Sequence, residues 1–453
     1  MKQILPTIAL CLLAQTLFSQ QGPLLQKFKY RISNFQGFSY SVGGNSGYDK
    51  YNTGIDEHEH SSVSGSMGAN YFKIKSTDKI LLSASGSLFS SYSGSKAIIP
   101  GEVNTNKNFN LNPSVNVLNK WFAKNHFTEL GATAYSSYSS YKHPDSSPYG
   151  TEKNSQHYYS VAINTGIGKG RLENVTDMQS GLWLYKELKD ANLLNRSLSD
   201  DELLELGQYV TRGNNTRVLD GRRRTQFVLK TVDDFFQQKE LIAKTDINYF
   251  SRLNDLLFFA VNNQRLSGTE KFIRFTPAIS GNIQHSTTSN AVDKFKQADI
   301  SKSLLLSSGF NKYIPVSLTQ QNNYGAAIKL AYIDRAYSTK DFVGGVTSTG
   351  KSNWNIKQAG VNVFFQHAIY PNTRTTILFD FQSQGGYQES GSSSQFYGSA
   401  GITGVMNYFV SYRTMLHCDI GASYEKNMYY SVPTFTQPNR VLLNINVGLD
   451  VSL

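Results

Sequence analysis

The last thirteen residues of the chain alternate strictly. Val441, Leu443, Ile445, Val447, Leu449, Val451 and Leu453 fall on one side; Leu442, Asn444, Asn446, Gly448, Asp450 and Ser452 fall on the other. A period of two marks an extended strand with one apolar face. Strands of soluble sandwiches are about five or six residues long, whereas this length with a wholly aliphatic face fits a tilted strand between lipid and a wet lumen. The alternation recurs along the chain. It predicts strands near Phe28–Val42, His60–Lys75, Ile80–Tyr92, Asn108–Phe122, Phe127–Tyr141 and His157–Gly168. After an interruption come Lys271–Gln284, Ser301–Phe310, Tyr324–Ile333, Trp354–Ile369, Arg374–Gly386, Gln395–Phe409, Thr414–Tyr424 and the last strand. Tight turns at Ser76–Lys79, Ala123–His126 and Tyr370–Thr373 alternate with longer polar connections such as Gly43–Glu59. This is the rhythm of an all-β transmembrane fold: an antiparallel up-and-down β-barrel of about 14 strands, with 12 to 16 as the range, short turns periplasmic and long loops outside.

Between Arg171 and Leu266 the period changes from two to 3.6. Met178, Leu182, Tyr185 and Leu188 form one helical stripe starting near Thr176. Ser199 and Glu202 make a capping box ahead of Leu203, Leu206 and Val210. Val228, Val232 and Phe235 form a third stripe, and Thr245 is expected to cap a fourth through Ile247, Phe250, Leu253 and Leu257. Helices of this kind cannot lie in lipid between strands. The phase count makes 171–266 a helical periplasmic insert between strands 6 and 7, dividing the barrel into 20–170 and 267–453.

Two stretches carry resemblances. The terminal alternation resembles the closing strand of bacterial outer-membrane β-barrels; this implies reading by the barrel-assembly machinery, with Leu453 standing where a terminal Phe is usual. The run Gly166-Ile167-Gly168-Lys169-Gly170-Arg171-Leu172-Glu173-Asn174-Val175-Thr176-Asp177 and the helices after it resemble an insertion in uncharacterised, porin-like outer-membrane proteins of the Bacteroidota, which implies lineage and location but no activity. The N-terminus reads as a secretory signal, residues 1–19. Lys2 is its charged region, Ile4 to Phe18 its apolar core and Ser19 its small cleavage residue.

Composition narrows the class. Charged residues make up 17% of the chain, against about 25% in soluble domains; 27 Tyr, 27 Phe and 36 Gly take their place. Mean hydropathy is −0.36, which excludes a polytopic helical membrane protein. Removing the signal leaves Cys418 alone, so no internal disulfide is expected. It also takes the net charge from +11 to about +10, which favours anionic neighbours such as lipopolysaccharide headgroups; export disfavours nucleic acid. Aromatic pairs near strand ends (Tyr71 and Phe72, Trp121 and Phe122, Tyr158 and Tyr159, Tyr429 and Tyr430) suit interfacial girdles.

Candidate chemistry lies in the lumen and the insert. With each aliphatic face outside, Arg274, Lys329, Asp380, His417, Asp419 and Asp450 line the inside. Such mixed charge selects solutes or stiffens the wall by pairing. Arg212, Arg217, Arg222, Arg223 and Arg224 form a basic cluster in the insert, expected to pair with Asp200, Asp201, Glu202 and Glu205 or with an acidic periplasmic partner. His58 and His60, in Asp56–His60 at the tip of the first outer loop, offer a weak metal motif without further ligands. Gly166-x-Gly168-x-Gly170 lacks the spacing of a phosphate loop and reads as a flexible strand-to-helix exit. His417 and Asp419 share a face, but no nucleophile completes a catalytic set. The expectation is a monomeric, cofactor-free channel or transporter for small polar or amphiphilic solutes, not an enzyme. The alternative is an envelope scaffold or assembly factor whose insert binds a partner or plugs the barrel.

Overall fold

The computed structural model describes residues 22–451, apart from 53–56, 100–101, 145–150, 217–220, 243, 259–263, 289–293, 344, 392, 412–413 and 430–439. The signal segment and Leu453 lie outside the described residues. The strands are β1 (Ile32–Asn52), β2 (Glu57–Ser76), β3 (Ile80–Ile99), β4 (Glu102–Ala123), β5 (His126–Pro144), β6 (Thr151–Asn174), β7 (Leu266–Thr288), β8 (Lys294–Pro315), β9 (Gln320–Val343), β10 (Val346–Asn372), β11 (Thr375–Ser390), β12 (Ser393–Ser411), β13 (Thr414–Tyr429) and β14 (Arg440–Val451). Each pairs antiparallel with the next in one 14-stranded sheet, as the alternation predicts. A short helix, α1 (Gly22–Lys27), precedes β1. Four more stand between β6 and β7: α2 (Thr176–Asp190), α3 (Asp200–Asn215), α4 (Gly221–Gln238) and α5 (Ile247–Phe258).

The strands outrun their apolar alternation. The expected loop Gly43–Glu59 is mostly ladder, with Asp49 opposite His60 and Tyr51 opposite His58. His58 and His60 therefore sit in a strand, not at a loop tip. Likewise β6 continues through Gly168 and Gly170 to Asn174, so this glycine run is paired strand, not a flexible exit. A ladder is held by backbone groups, and outside the bilayer it needs no apolar face. About ten residues span the hydrocarbon, so a strand such as β10, with 27 residues, projects well beyond it.

A flat sheet would hold β1 and β8 about 34 Å apart, at roughly 4.8 Å per strand. Yet α1, joined to β1 by a link of at most about 17 Å, packs on the end of β8, where Gln26 Nε2 donates to Pro315 O at 3.2 Å. The sheet therefore curls round, and the helices span its mouth. Among the described residues no ladder joins β1 to β14. Both are exposed along their outer rows, at Phe38, Tyr40 and Val42 and at Leu443, Ile445 and Val447. Hydrocarbon cannot satisfy backbone groups along such edges, so in a bilayer the two edges have to meet.

The outer wall is apolar: Ile273, Phe275 and Ile279 on β7, Leu304 and Leu306 on β8, Ile328 and Leu330 on β9, and Val361, Val363 and Phe365 on β10 are all exposed. The expected aromatic girdle needs correcting wherever its pairs are neighbours on a strand. Neighbouring strand residues point to opposite faces, so Trp121 faces out while Phe122 faces in, against Phe127 and beneath the Arg171 guanidinium.

Among the described residues the three-dimensional hydrophobic core lies in the helices. Leu25 of α1 and Phe28 just after it meet Met178, Leu182 and Leu188 of α2, Leu206 and Val210 of α3, Val232 and Phe235 of α4, and Tyr249 and Leu253 of α5, with Leu318 from the β8–β9 turn. The capping box of α3 forms as expected: Glu202 N donates to Ser199 Oγ at 3.3 Å and Ser199 N to Glu202 Oε2 at 2.9 Å. At α5 the cap is Asp246, not Thr245; its Oδ1 accepts from Tyr249 N at 3.1 Å because the helix starts one residue later.

Arg196 clamps Glu202 with bonds of 2.9 and 2.6 Å, and with the Ser199 amide it holds the carboxyl down at about 2. The folded value lies below the unfolded one of about 4.3. Its stabilisation is therefore present at neutral pH and is lost as pH falls through that window. We expect Trp183 fluorescence, read during thermal melts, to show a smaller acid loss in Glu202→Gln than in the parent. Ser199→Ala should cost the helices about 1 kcal/mol at neutral pH.

Candidate functional site

The inner wall changes character with depth. On β9, opposite the outward Ile328 and Leu330, the inward Gln321, Asn323 and Gly325 are buried, whereas Lys329 is exposed. Lys120, Glu129, Glu270 and Thr376 are buried at the same capped end. The inner wall is thus exposed at mid-height and buried where the helices lie.

Arg265 fastens the helices to this end of the barrel. It sits at the root of the insert, where its amide donates to Thr176 Oγ1 at 2.9 Å and its carbonyl accepts from Val175 N at 2.8 Å. Its fully buried guanidinium donates to Gln321 Oε1 at 2.7 Å, Leu318 O at 2.8 Å, Gln320 O at 2.7 Å and Ser317 O, and lies over the Tyr370 ring. One side chain so ties the helices to the β8–β9 turn and to β10. Burial lowers its pKa to about 10, so it stays charged at neutral pH. The network continues inward: Gln321 Nε2 donates to Asn323 Oδ1 at 2.7 Å, and Asn323 Nδ2 to Gln366 Oε1 at 2.8 Å.

A four-charge cluster lines the opposite side. Lys120 on β4 faces Glu129 on β5, and Glu129, Gly166 and Arg274 stand in one row across β5, β6 and β7. A Cβ at Gly166 would lie 2.7 Å from Glu129 Oε1. The missing side chain is what lets Glu129 and Arg274 meet across an intervening strand. Arg274 donates from Nε to Glu129 and from Nη2 to Glu270 Oε1 at 2.8 Å; Lys120 Nζ donates to Glu270 Oε2 at 2.6 Å and lies 3.5 Å from Glu129 Oε2. Lys120 is 6% exposed and each glutamate 4%, so charge balance here decides stability.

The other inward residues named from the alternation stand apart. Asp380 accepts from Gln382 Nε2 at 2.6 Å. His417 meets Asp450 at 3.4 Å and Asn446 at 3.4 Å, not a hydroxyl, and Asp419 shares its face. Sequence reasoning found Arg274 and missed Lys120, Glu129, Glu270 and Arg265. Lys120 and Glu129 were findable, because they face each other around the tight turn of one hairpin. An inward pair higher in the lumen, Asp299 with Arg335, also went unread; Arg335 Nε donates to Asp299 Oδ1 at 2.8 Å.

Among the described residues of the insert, no ion pair joins Arg212 or Arg224 to the acids expected for the basic cluster. Glu202 is held by Arg196, and Glu205 by Lys239 at 3.0 Å. Helices α3 and α4 run antiparallel, which sets the acidic start of α3 beside the end of α4 and away from the arginines. Arg212 lies over the Tyr209 ring at 4.8 Å, and Arg223 and Arg224 are exposed. Arg217 and the side chain of Arg222 lie outside the described residues, as does the side chain of His58; His60 is exposed.

These features define a transmembrane antiparallel β-barrel of the outer-membrane type, capped by helices at one end. No known protein family and no curated protein matches the chain. Among solved structures it is similar to the ferric yersiniabactin uptake receptor FyuA from Yersinia pestis (7% identity, 88% of this chain and 62% of that one, TM-score 0.30). It is also similar to the translocator domain of the autotransporter NalP from Neisseria meningitidis (8% identity, 83% and 87%, TM-score 0.24) and to the TodX monoaromatic hydrocarbon channel deltaS2 mutant (8% identity, 94% and 93%, TM-score 0.28). The chain spans 62% of the length of the receptor. None of these likenesses bears on what the lumen carries.

Proposed function

We propose that this chain is a gated outer-membrane channel or transporter for small polar or amphiphilic solutes, with the helices as its periplasmic plug. The carrying observation is the inner wall of β9, exposed at Lys329 and buried from Gly325 down to Gln321. Solute enters a charged, wet vestibule and meets a floor bolted by Arg265. Export by the N-terminal signal, insertion through the barrel-assembly machinery and a place among Bacteroidota envelope proteins belong to the same proposal. The scaffold reading keeps one supporting observation, the exposed Arg223 and Arg224 on α4. Planar-bilayer recordings of the purified full chain test the channel reading. We expect small, infrequent openings that increase when the insert is loosened. A silent barrel that stays silent with a loosened plug overturns it.

A further inference from the structure

We infer that the outer wall at the capped end binds an anionic glycerophospholipid, its acyl chains in a groove and its phosphate on a row of cations. The groove is a cavity of about 1100 Å³ reaching from β4 to β10. Ligand pockets typically span about 300–1,000 Å³, so this one takes a large ligand. Trp121, Ile167, Ile273, Phe310, Ile328 and Val361 make it apolar, while Thr128, Ser308 and Ala326 give it depth. All of these residues lie on the lipid-facing side of their strands.

A barrel wall is ordinarily convex outside, and here glycines on the inner side let it bend in. A Cβ at Gly168 would stand 2.3 Å from Lys271 O, at Gly309 2.4 Å from Ala326 O, and at Gly325 2.6 Å from Phe310 O. Such close approach of neighbouring backbones is the mark of a sharp bend in a sheet.

Charge complementarity names the occupant. At the capped rim His126, Lys169 and Lys271 stand opposite one another on β5, β6 and β7, all outward, exposed and lining the groove. Among the described residues neither lysine has an ion-pair partner. Adjacent strands are about 4.8 Å apart, so the two ammonium groups are near enough to be shared by one phosphate. Cations directly at the edge of an apolar groove, at headgroup height, match a lipid that joins a phosphodiester to two chains. This rests on the reading of the chain as an outer-membrane barrel with its capped end periplasmic, which sets the site in the phospholipid leaflet.

The test uses the full chain in phosphatidylcholine vesicles. Trp121 lines the groove, whereas Trp183 is buried among the helices and Trp354 stacks on the inward-facing Arg335. Quenching by lipids with brominated chains therefore reports on the groove. Brominated phosphatidylglycerol should quench at a mole fraction roughly 10- to 30-fold below that of brominated phosphatidylcholine, as two lysines imply. Lys169→Gln with Lys271→Gln should erase that preference, and Ser308→Phe, which fills the groove but keeps the lysines, should weaken it. Equal quenching by the two lipids, a preference that survives loss of both lysines, or relief by lipid A as effective as that by unlabelled phosphatidylglycerol each overturns the inference. Conductance of the same vesicles separates the two readings. A conducting barrel without the preference sinks only the lipid site, and a silent barrel with it sinks only the channel.

Discussion

Arg265→Met is expected to unfasten the helices from the barrel and to raise the conductance of the chain in a bilayer several-fold. The substitution removes four charged hydrogen bonds and leaves Gln321 Oε1 and Ser317 O without the guanidinium beneath the helices, while Gln320 O keeps the Val316 and Ser317 amides and Leu318 O keeps Gln179 Nε2. A lost hydrogen bond to a charged group costs about 1.5–3 kcal/mol, and the losses overlap, so the net destabilisation should be roughly 3–5 kcal/mol. Arg265→Lys should recover only part of this, because an ammonium lacks the planar fork that reaches a side chain and three carbonyls together. Two measurements check it: the melting of Trp183 fluorescence, which reads the helices, and bilayer conductance, which reads the lumen. Unchanged conductance with a destabilised insert would mean that the helices cover the mouth without gating it.

Glu129→Ala should be the most damaging single change in the barrel wall. It leaves Lys120 and Arg274 buried or half-buried with Glu270 as their one shared anion. Removing one partner from a buried ion pair costs about 3–5 kcal/mol, through the charge left behind. The unboiled, folded form on a gel should therefore disappear at a lower temperature. The reversal potential in a salt gradient should also shift toward anions, since the floor gains net positive charge. Restoring neutrality with Arg274→Gln in the same chain should recover much of both effects, and the coupling between the two sites should be about 0.5–3 kcal/mol. Independent effects of the two substitutions would contradict a shared cluster.

Several parts of this architecture were legible along the chain. Fourteen strands, their antiparallel order and a helical interruption between the sixth and seventh could be counted from periodicity, because the side-chain period of a strand is local and lipid enforces it. The Ser199–Glu202 cap was legible for the same reason, being a contact across three residues. Strand ends were not. The ladder from Gly43 to Asn52 is built on Ser, Gly and Asn with no apolar face to announce it, and a hairpin continues into water for as long as its backbone groups find partners.

By itself the sequence determined an apolar outer wall, a polar inner one and a helical unit between the sixth and seventh strands, since each rests on residues within one or two turns or pleats of each other. Only the tertiary structure decided what the helical unit does to the lumen. Arg265 meets its acceptors 52 to 56 positions away, in a turn whose sequence is unremarkable. Glu129 and Arg274 are 145 apart and meet only because Gly166 leaves a gap in the strand between them. Contacts of that range depend on how the sheet curls and where the insert settles. No local pattern encodes them, and they are what sets the helices on the end of the barrel.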